Sequence, residues 1–224
     1  MTIAALEAVW PPLRLSIQVS LISTALVAIV GTALGYIFSR RHFAAKDVID
    51  AVLTLPMVLP PTVTGYYLLI ILGRHGIIGR YIYDWTGWTL TFTWQAAVTA
   101  SFVVSLPLMF KTAKAAVDSV NPELEKVSLL LGKGEMETFW RVTLPLAGKG
   151  VMAGIVLSFA RGIGEFGATI MLAGNIPGKT ATMPVSIYSA TQSGEYALAN
   201  SLVAILTVLS LSVIYATNRL SRRD

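Results

Sequence analysis

Two runs of this chain, 15–39 and 200–217, contain no charged residue. A bilayer core about 30 Å thick is crossed by about 17 to 25 residues of helix, so either run is long enough to span it. Backbone polar groups cannot stay unpaired in hydrocarbon, which leaves helices or a closed barrel, and the two-residue alternation of barrel strands is missing. The expected fold class is therefore all-α, a polytopic integral membrane protein. Composition agrees: 54% of residues are hydrophobic and 13% charged, against about a quarter charged in a soluble domain.

Hydropathy places spans at about 15–39, 47–72, 94–116, 150–172 and 199–218, and residues 1–13 are expected to add a short interfacial helix ending at Pro11-Pro12. Five spans is the count, with six as the alternative. With the N-terminus outside and the C-terminus in the cytoplasm, one side carries Arg40, Arg41, Lys46, Lys111, Lys114, Lys126, Lys133, Arg141, Lys149, Arg219, Arg222 and Arg223, and the other only Arg14, Arg74, Arg80 and Lys179. Such an excess of cations marks the cytoplasmic side. Tyr81, Tyr83, Trp85, Trp88 and Trp94 cluster between the second and third spans, where amphipathic rings prefer the headgroup level.

Several classes fall away. There is no cysteine, so disulfides and thiolate chemistry are excluded. The two histidines, His42 and His75, lie in loops, and neither a metal site nor a cofactor is expected. The net charge of +5 is spread as a topology signal rather than as a nucleic-acid-binding patch. The N-terminus lacks the basic region of a cleaved signal peptide. No Gly-Lys-Ser/Thr phosphate loop is present, and the spans offer no converging acid, base and nucleophile, so the chain is not expected to be a catalyst.

The chain reads as one membrane domain over 1–224, with outer loops at about 73–93 and 173–198 and a cytoplasmic loop at about 118–149. That loop, DSVNPELEKVSLLLGKGEMETFWRVTLPLAGKG over 118–150, predicts helix, turn, helix. Asn121 can cap, Pro122 suits a first helical position and Glu123 suits the positive end of the helix dipole. Leu124, Val127, Leu130 and Leu131 repeat at helical spacing, and Gly132 and Gly134 permit a left-handed stop. A second short helix from Glu135 presents Met136, Phe139, Trp140 and Val142 and is expected to end at Pro145. An aromatic and aliphatic knob on the cytoplasmic side implies a docking partner.

A glycine followed twelve and thirteen residues later by Leu-Pro (Gly132, Leu144, Pro145) resembles the coupling loop of permease subunits of binding-protein-dependent ABC importers. The resemblance implies that Gly132, Phe139, Trp140, Leu144 and Pro145, with Glu125 and Lys126, form the contact through which a separate ATPase drives the membrane helices. That family carries a glutamate six residues before the glycine; here Lys126 occupies the position and Glu125 lies one place earlier.

Within the spans, Arg161 and Glu165 share one helical face at a depth where a charge costs about 2.5 to 3.5 kcal/mol to insert. They face protein or water, either beside a translocation route or as a neutralised pair locking helices. Gly162-Ile163-Gly164-Glu165-Phe166-Gly167 spells GxGxxG, but no strand precedes it and it lies in a span, so a nucleotide site is rejected. Gly31 with Gly35 and Gly150 with Gly154 suit close helix approach. Pro56, Pro60 and Pro61 interrupt the second span at membrane depth, which is tolerated where backbone is buried in protein or lines a cavity. Pro60, Pro61, Thr62, Thr64 and Gly65 are accordingly gate or pathway candidates, or part of a kinked packing helix. Lys179 and the hydroxyls of the loop from Ala173 suit passage of a tetrahedral oxyanion, or are ordinary loop composition.

Three segments, LPMVLPPTVTGYYLL, TFTWQAAVTASFVVSLPLMFKTAKAA and SFARGIGEFGATIMLAGNIPGKTATMPVSIY, resemble the molybdate permease branch of the same family, with matching spacing over most of residues 15–215. The resemblance implies a type I ABC importer permease architecture, an inner-membrane location, a second copy of the chain, an ABC ATPase and an extracytoplasmic molybdate-binding protein. Sulfate and tungstate carriers are the near alternatives, and an ion-coupled secondary anion transporter is the alternative from another class.

Overall fold

The computed structural model describes residues 3–221, with side-chain surroundings for residues 7–215. Arg222 and Arg223, and the side chain of Arg219, lie outside that description. The described chain is helical and contains no strand. Its order is α1 (Ile3–Arg40), α2 (Lys46–Val58), α3 (Pro61–Leu72), α4 (Gly79–Thr86), α5 (Trp94–Asp118), α6 (Pro122–Leu130), α7 (Glu135–Thr138), a π turn (Phe139–Thr143), α8 (Leu144–Ile163), α9 (Gly167–Ala173), α10 (Met183–Gln192) and α11 (Tyr196–Ser221).

Among the described residues four stretches are long and apolar enough to cross a membrane: Glu7–Arg40, Trp94–Asp118, Glu135–Ile163 and Tyr196–Tyr215. The remaining expected span, 47–72, is divided. Leu59 and Pro60 both adopt extended backbone, with ψ of 143° and 136°, because each precedes a proline whose ring disfavours the α region for its neighbour. Pro61 then opens α3 at a position where its missing N–H costs nothing, while Pro56 remains inside α2.

Helix α5 is the axis of the bundle. Thr93 caps it by accepting a bond from the Ala96 N–H at 3.2 Å, and much of its length is buried, from Ala96 to Val117. Helices α1 and α8 pack on different faces of it through the glycine pairs singled out in the sequence. A Cβ on Gly31 would lie 2.6 Å from Met109 Cγ, and one on Gly35 2.7 Å from the Lys114 backbone nitrogen. On α8, a Cβ on Gly150 would lie 2.5 Å from Ala116 Cβ, and one on Gly154 would collide with Thr112 Oγ1. Val27, Met109, Ala113, Val117, Ala147 and Val151 fill the core between these helices.

Four expectations are corrected. Pro11 and Pro12 do not end a separate helix; they lie inside α1, which runs unbroken for 38 residues. Proline removes the bond to the carbonyl four residues back, and those carbonyls belong to Glu7 and Ala8, which border a cavity of about 310 Å³. Pro145 does not end the second hairpin helix either. The Leu144 N–H reaches back five residues to the Phe139 carbonyl, and this widened turn shifts the bonding register just before the proline, so one continuous helical stretch runs from Glu135 to Ile163. The span expected at 150–172 therefore begins earlier and breaks at Gly164–Phe166, with α9 beyond. The expected loops 73–93 and 173–198 contain α4 and α10.

Candidate coupling hairpin and translocation site

The hairpin is built from local signals. Asn121 Oδ1 accepts the Glu123 N–H at 3.0 Å, with Pro122 at the first position of α6. Gly132 has φ +83°; the Gly132 N–H bonds the Leu129 carbonyl at 3.0 Å and the Lys133 N–H the Ser128 carbonyl at 3.2 Å. That bonding pair is a Schellman stop, which asks for glycine at the left-handed residue. Gly134, expected as a second left-handed position, has φ −75° and instead precedes α7. A buried hydroxyl pair, Ser128 with Thr138 at 2.9 Å, closes the hairpin.

The knob is present, with one member turned inward. Leu130 and Leu131 are 86% and 76% exposed, and Leu124, Val127, Met136 and Trp140 are also exposed. Phe139 is half-buried; its ring packs edge-on to Tyr36 of α1, centroids 4.7 Å apart, and to Trp140 at 5.3 Å. Leu144 packs against the core beneath, and Pro145 is exposed. Lys126 is exposed and pairs with Glu123 at 2.7 Å. Glu125 points the other way: one carboxylate oxygen lies 2.8 Å from Arg40 Nε and the other accepts from Thr143 Oγ1 at 2.6 Å.

The two helix breaks meet in space. A Cβ on Gly65 of α3 would lie 2.7 Å from Ala168 Cα and 2.8 Å from Met171 Cβ of α9, while one on Gly167 would lie 2.9 Å from Pro61 Cβ and 3.0 Å from the Thr62 nitrogen. Thr64 and Gly65 are buried, and Thr62 is exposed beside Pro60 and Pro61. Glu165 stands at this junction. Its Oε1 accepts the Ala168 N–H at 2.8 Å, holding the first turn of α9, and its Oε2 lies 2.6 Å from Arg161 Nη1. The glutamate side chain is 2% exposed and the arginine 34%, so the carboxylate is enclosed by the protein, its Oε2 facing only the arginine, while part of the guanidinium stays open.

On the opposite end, Arg14 and Lys179 line one cavity of about 320 Å³ with Trp10, Gln18, Trp94 and Gly178. Thr180 is committed elsewhere: its hydroxyl accepts the Ile176 N–H at 2.9 Å, fastening its own loop. No group of three or more His, Asp or Glu side chains among the described residues could hold a metal ion. In the sequence Arg40 and Arg14 stand out only as topology cations: the partners of Arg40 and the Lys179 that shares a cavity with Arg14 lie far along the chain, and no local pattern announces them.

Apolar spans around α5, a hairpin with an exposed apolar knob, and two broken helices meeting at a half-buried ion pair define a membrane transport permease subunit. Residues 29–223 match the family described as binding-protein-dependent transport system inner membrane component, and the chain belongs to that family. It is 40% identical over 207 residues to the molybdenum transport system permease protein ModB of Escherichia coli K12, covering 92% of this chain and 90% of that one. With the molybdenum transport system permease protein ModB of Haemophilus influenzae it shares 39% over 212 residues, 94% and 92% of the two chains. Among solved structures, the MetNI methionine ABC transporter in inward-facing conformations superposes with a TM-score of 0.74 at 15% identity, covering 99% and 98%. A bacterial ABC transporter involved in alginate import gives 0.77 at 15%, covering 100% and 84%. The fold is the type I ABC importer permease architecture, and the protein is a multi-pass membrane protein.

Proposed function

We propose that this chain is the permease subunit of an ATP-driven molybdate importer. The observation that carries the reading is its 40% identity to a molybdenum transport permease across nine-tenths of both chains. In this reading two copies enclose the pathway, an extracytoplasmic molybdate-binding protein delivers the anion, and a separate ATPase supplies the work. In this reading the N-terminus lies outside and the C-terminus in the cytoplasm, an orientation that the cation distribution supports. Catalysis belongs to the ATPase, not to this chain.

The mechanism follows from the geometry. The ATPase grips the knob of Leu130, Leu131, Met136 and Trp140, with Gly132 fixing the turn and Leu144-Pro145 joining it to the membrane. Because α7, the π turn and α8 form one helical stretch, tilting the hairpin tilts α8. The movement arrives at Gly164, where the helix stops, and is passed to the contact of α9 with α3, the pathway region that contains Pro60, Pro61, Thr62, Thr64 and Gly65. Arg161 supplies a cation at that depth, and Glu165 balances it, so a dianion is not held too tightly to leave. Arg14 and Lys179 supply positive potential at the outer mouth.

The test is reconstitution with its ATPase and binding protein in vesicles, measuring ATP-dependent uptake of labelled molybdate with sulfate and tungstate as competitors. ATP-dependent molybdate uptake is expected. Uptake driven by an ion gradient without ATP would overturn the class, and preference for sulfate or tungstate the substrate.

A further inference from the structure

We propose that Arg40 is a positioning residue for coupling: it ties the hairpin to α1 and to the end of α5, so the ATPase stroke reaches those helices as well as α8. The inference rests on the hairpin being the ATPase contact, as proposed above. Helix α6 gives its apolar side chains to the outside, and its only buried residues are the polar Glu125 and Ser128. Its hold on the membrane body is therefore polar. Ser128 binds only within the hairpin, to Thr138, so Glu125 is the buried link from α6 to the spans.

Arg40 receives that link and spreads it. Its Nε faces Glu125 at 2.8 Å. Its Nη2 donates to the carbonyls of Val117 and Val120, each at 3.0 Å, in the last turn of α5 and just beyond it, adding to the bond that the Val117 carbonyl already accepts from the Val120 N–H. Its Nη1 donates to Ser39 Oγ at 3.2 Å, and that hydroxyl donates to Asp118 Oδ1 at 2.5 Å. The far oxygen of Glu125 takes the Thr143 hydroxyl in the π turn. One guanidinium thus joins α1, α5, α6 and the root of α8. The side chains of Arg40 and Glu125 are only 16% and 11% exposed, whereas the neighbouring pair Arg41–Glu135 is 60% and 68% exposed and holds little in water. The glutamate nearest the position where this family carries one is used inside the chain, and is not offered to the ATPase.

The experiment compares the number of anions transported per ATP hydrolysed in vesicles containing the full complex, for the wild type, Arg40→Gln, Glu125→Gln, the double variant and Arg40→Lys. In both single variants the ratio should fall about five-fold or more, while the ATPase still co-purifies with the permease. The double variant should be no worse than either single one. Lysine keeps the charge but cannot bridge two carbonyls and a carboxylate, so Arg40→Lys should fall between. An unchanged ratio in Arg40→Gln overturns the proposal, as does equal loss of hydrolysis and transport with loss of the bound ATPase, which would make the contact structural. If the wild-type complex itself shows no ATP-dependent uptake, it is the underlying functional reading that fails.

Discussion

The contact between α3 and α9 offers the sharpest test of the packing argument. A Gly65→Ala substitution adds a Cβ 2.7 Å from Ala168 Cα and 2.8 Å from Met171 Cβ, where carbon atoms prefer about 3.5 to 4.0 Å. The two helices must separate by about 1 Å. One neighbour is backbone, so no rotamer change relieves the clash, and overpacking of this kind costs about 1 to 3 kcal/mol. For a chain of this size that is a fall in melting temperature of about 2 to 12 °C. Gly148→Ala makes the same chemical change within α8, where a Cβ meets nothing within 4 Å; removing a helical glycine there should stabilise by about 0.5 to 1 kcal/mol. The assay is thermal unfolding of the purified permease in detergent, followed by uptake in vesicles. Gly65→Ala should melt lower and transport more slowly, and Gly148→Ala should melt at or above the wild type. Equal shifts for the two would refute the claim that the junction of the broken helices is tightly packed.

Replacing Gly132 by Val places a β-branched residue at φ +83°, costing about 1 to 3 kcal/mol; transport should be uncoupled from ATP hydrolysis while the subunit still inserts, measured by uptake alongside membrane fractionation. Glu165→Gln keeps an oxygen to accept the Ala168 N–H and loses only the charge facing Arg161, whereas Glu165→Ala loses both, so Ala should be the less stable by about 1 kcal/mol in a denaturation comparison. Arg14→Gln and Lys179→Gln should each slow oxyanion uptake at low salt, and raising the salt to about 0.5 M should erase the difference by screening; a salt-independent defect would assign these residues another role.

Much of the fold was legible from one dimension. Charge-free runs longer than a bilayer predict helices wherever they fall: α5 and α11 lie close to their expected places, and α1 contains its expected span and runs on to Ile3. The hairpin was readable for the same reason: Asn121, Pro122 and Gly132 act on backbone within a few residues of themselves. The proline signals were read less well. Pro60 and Pro61 break the chain as expected, but Pro56, expected as a further break, and Pro11, Pro12 and Pro145 are carried inside helices. The effect of a proline depends on whether its orphaned carbonyl meets a cavity and whether a turn can widen ahead of it, and both are settled by neighbours distant in sequence.

The sequence by itself determined a multi-spanning helical membrane protein with an apolar-faced hairpin between two spans, because hydrophobic length, cation distribution and capping are properties of contiguous residues. Only the tertiary structure decided which residues those features act through. Glu125 turns inward to Arg40 of α1, Arg14 and Lys179 come to line one cavity from opposite parts of the chain, and the breaks after α2 and α8 become a single junction at Gly65 and Gly167. Each is a meeting of residues far apart along the chain, set by how α1, α8 and α9 pack around α5, and composition and local periodicity carry no record of it.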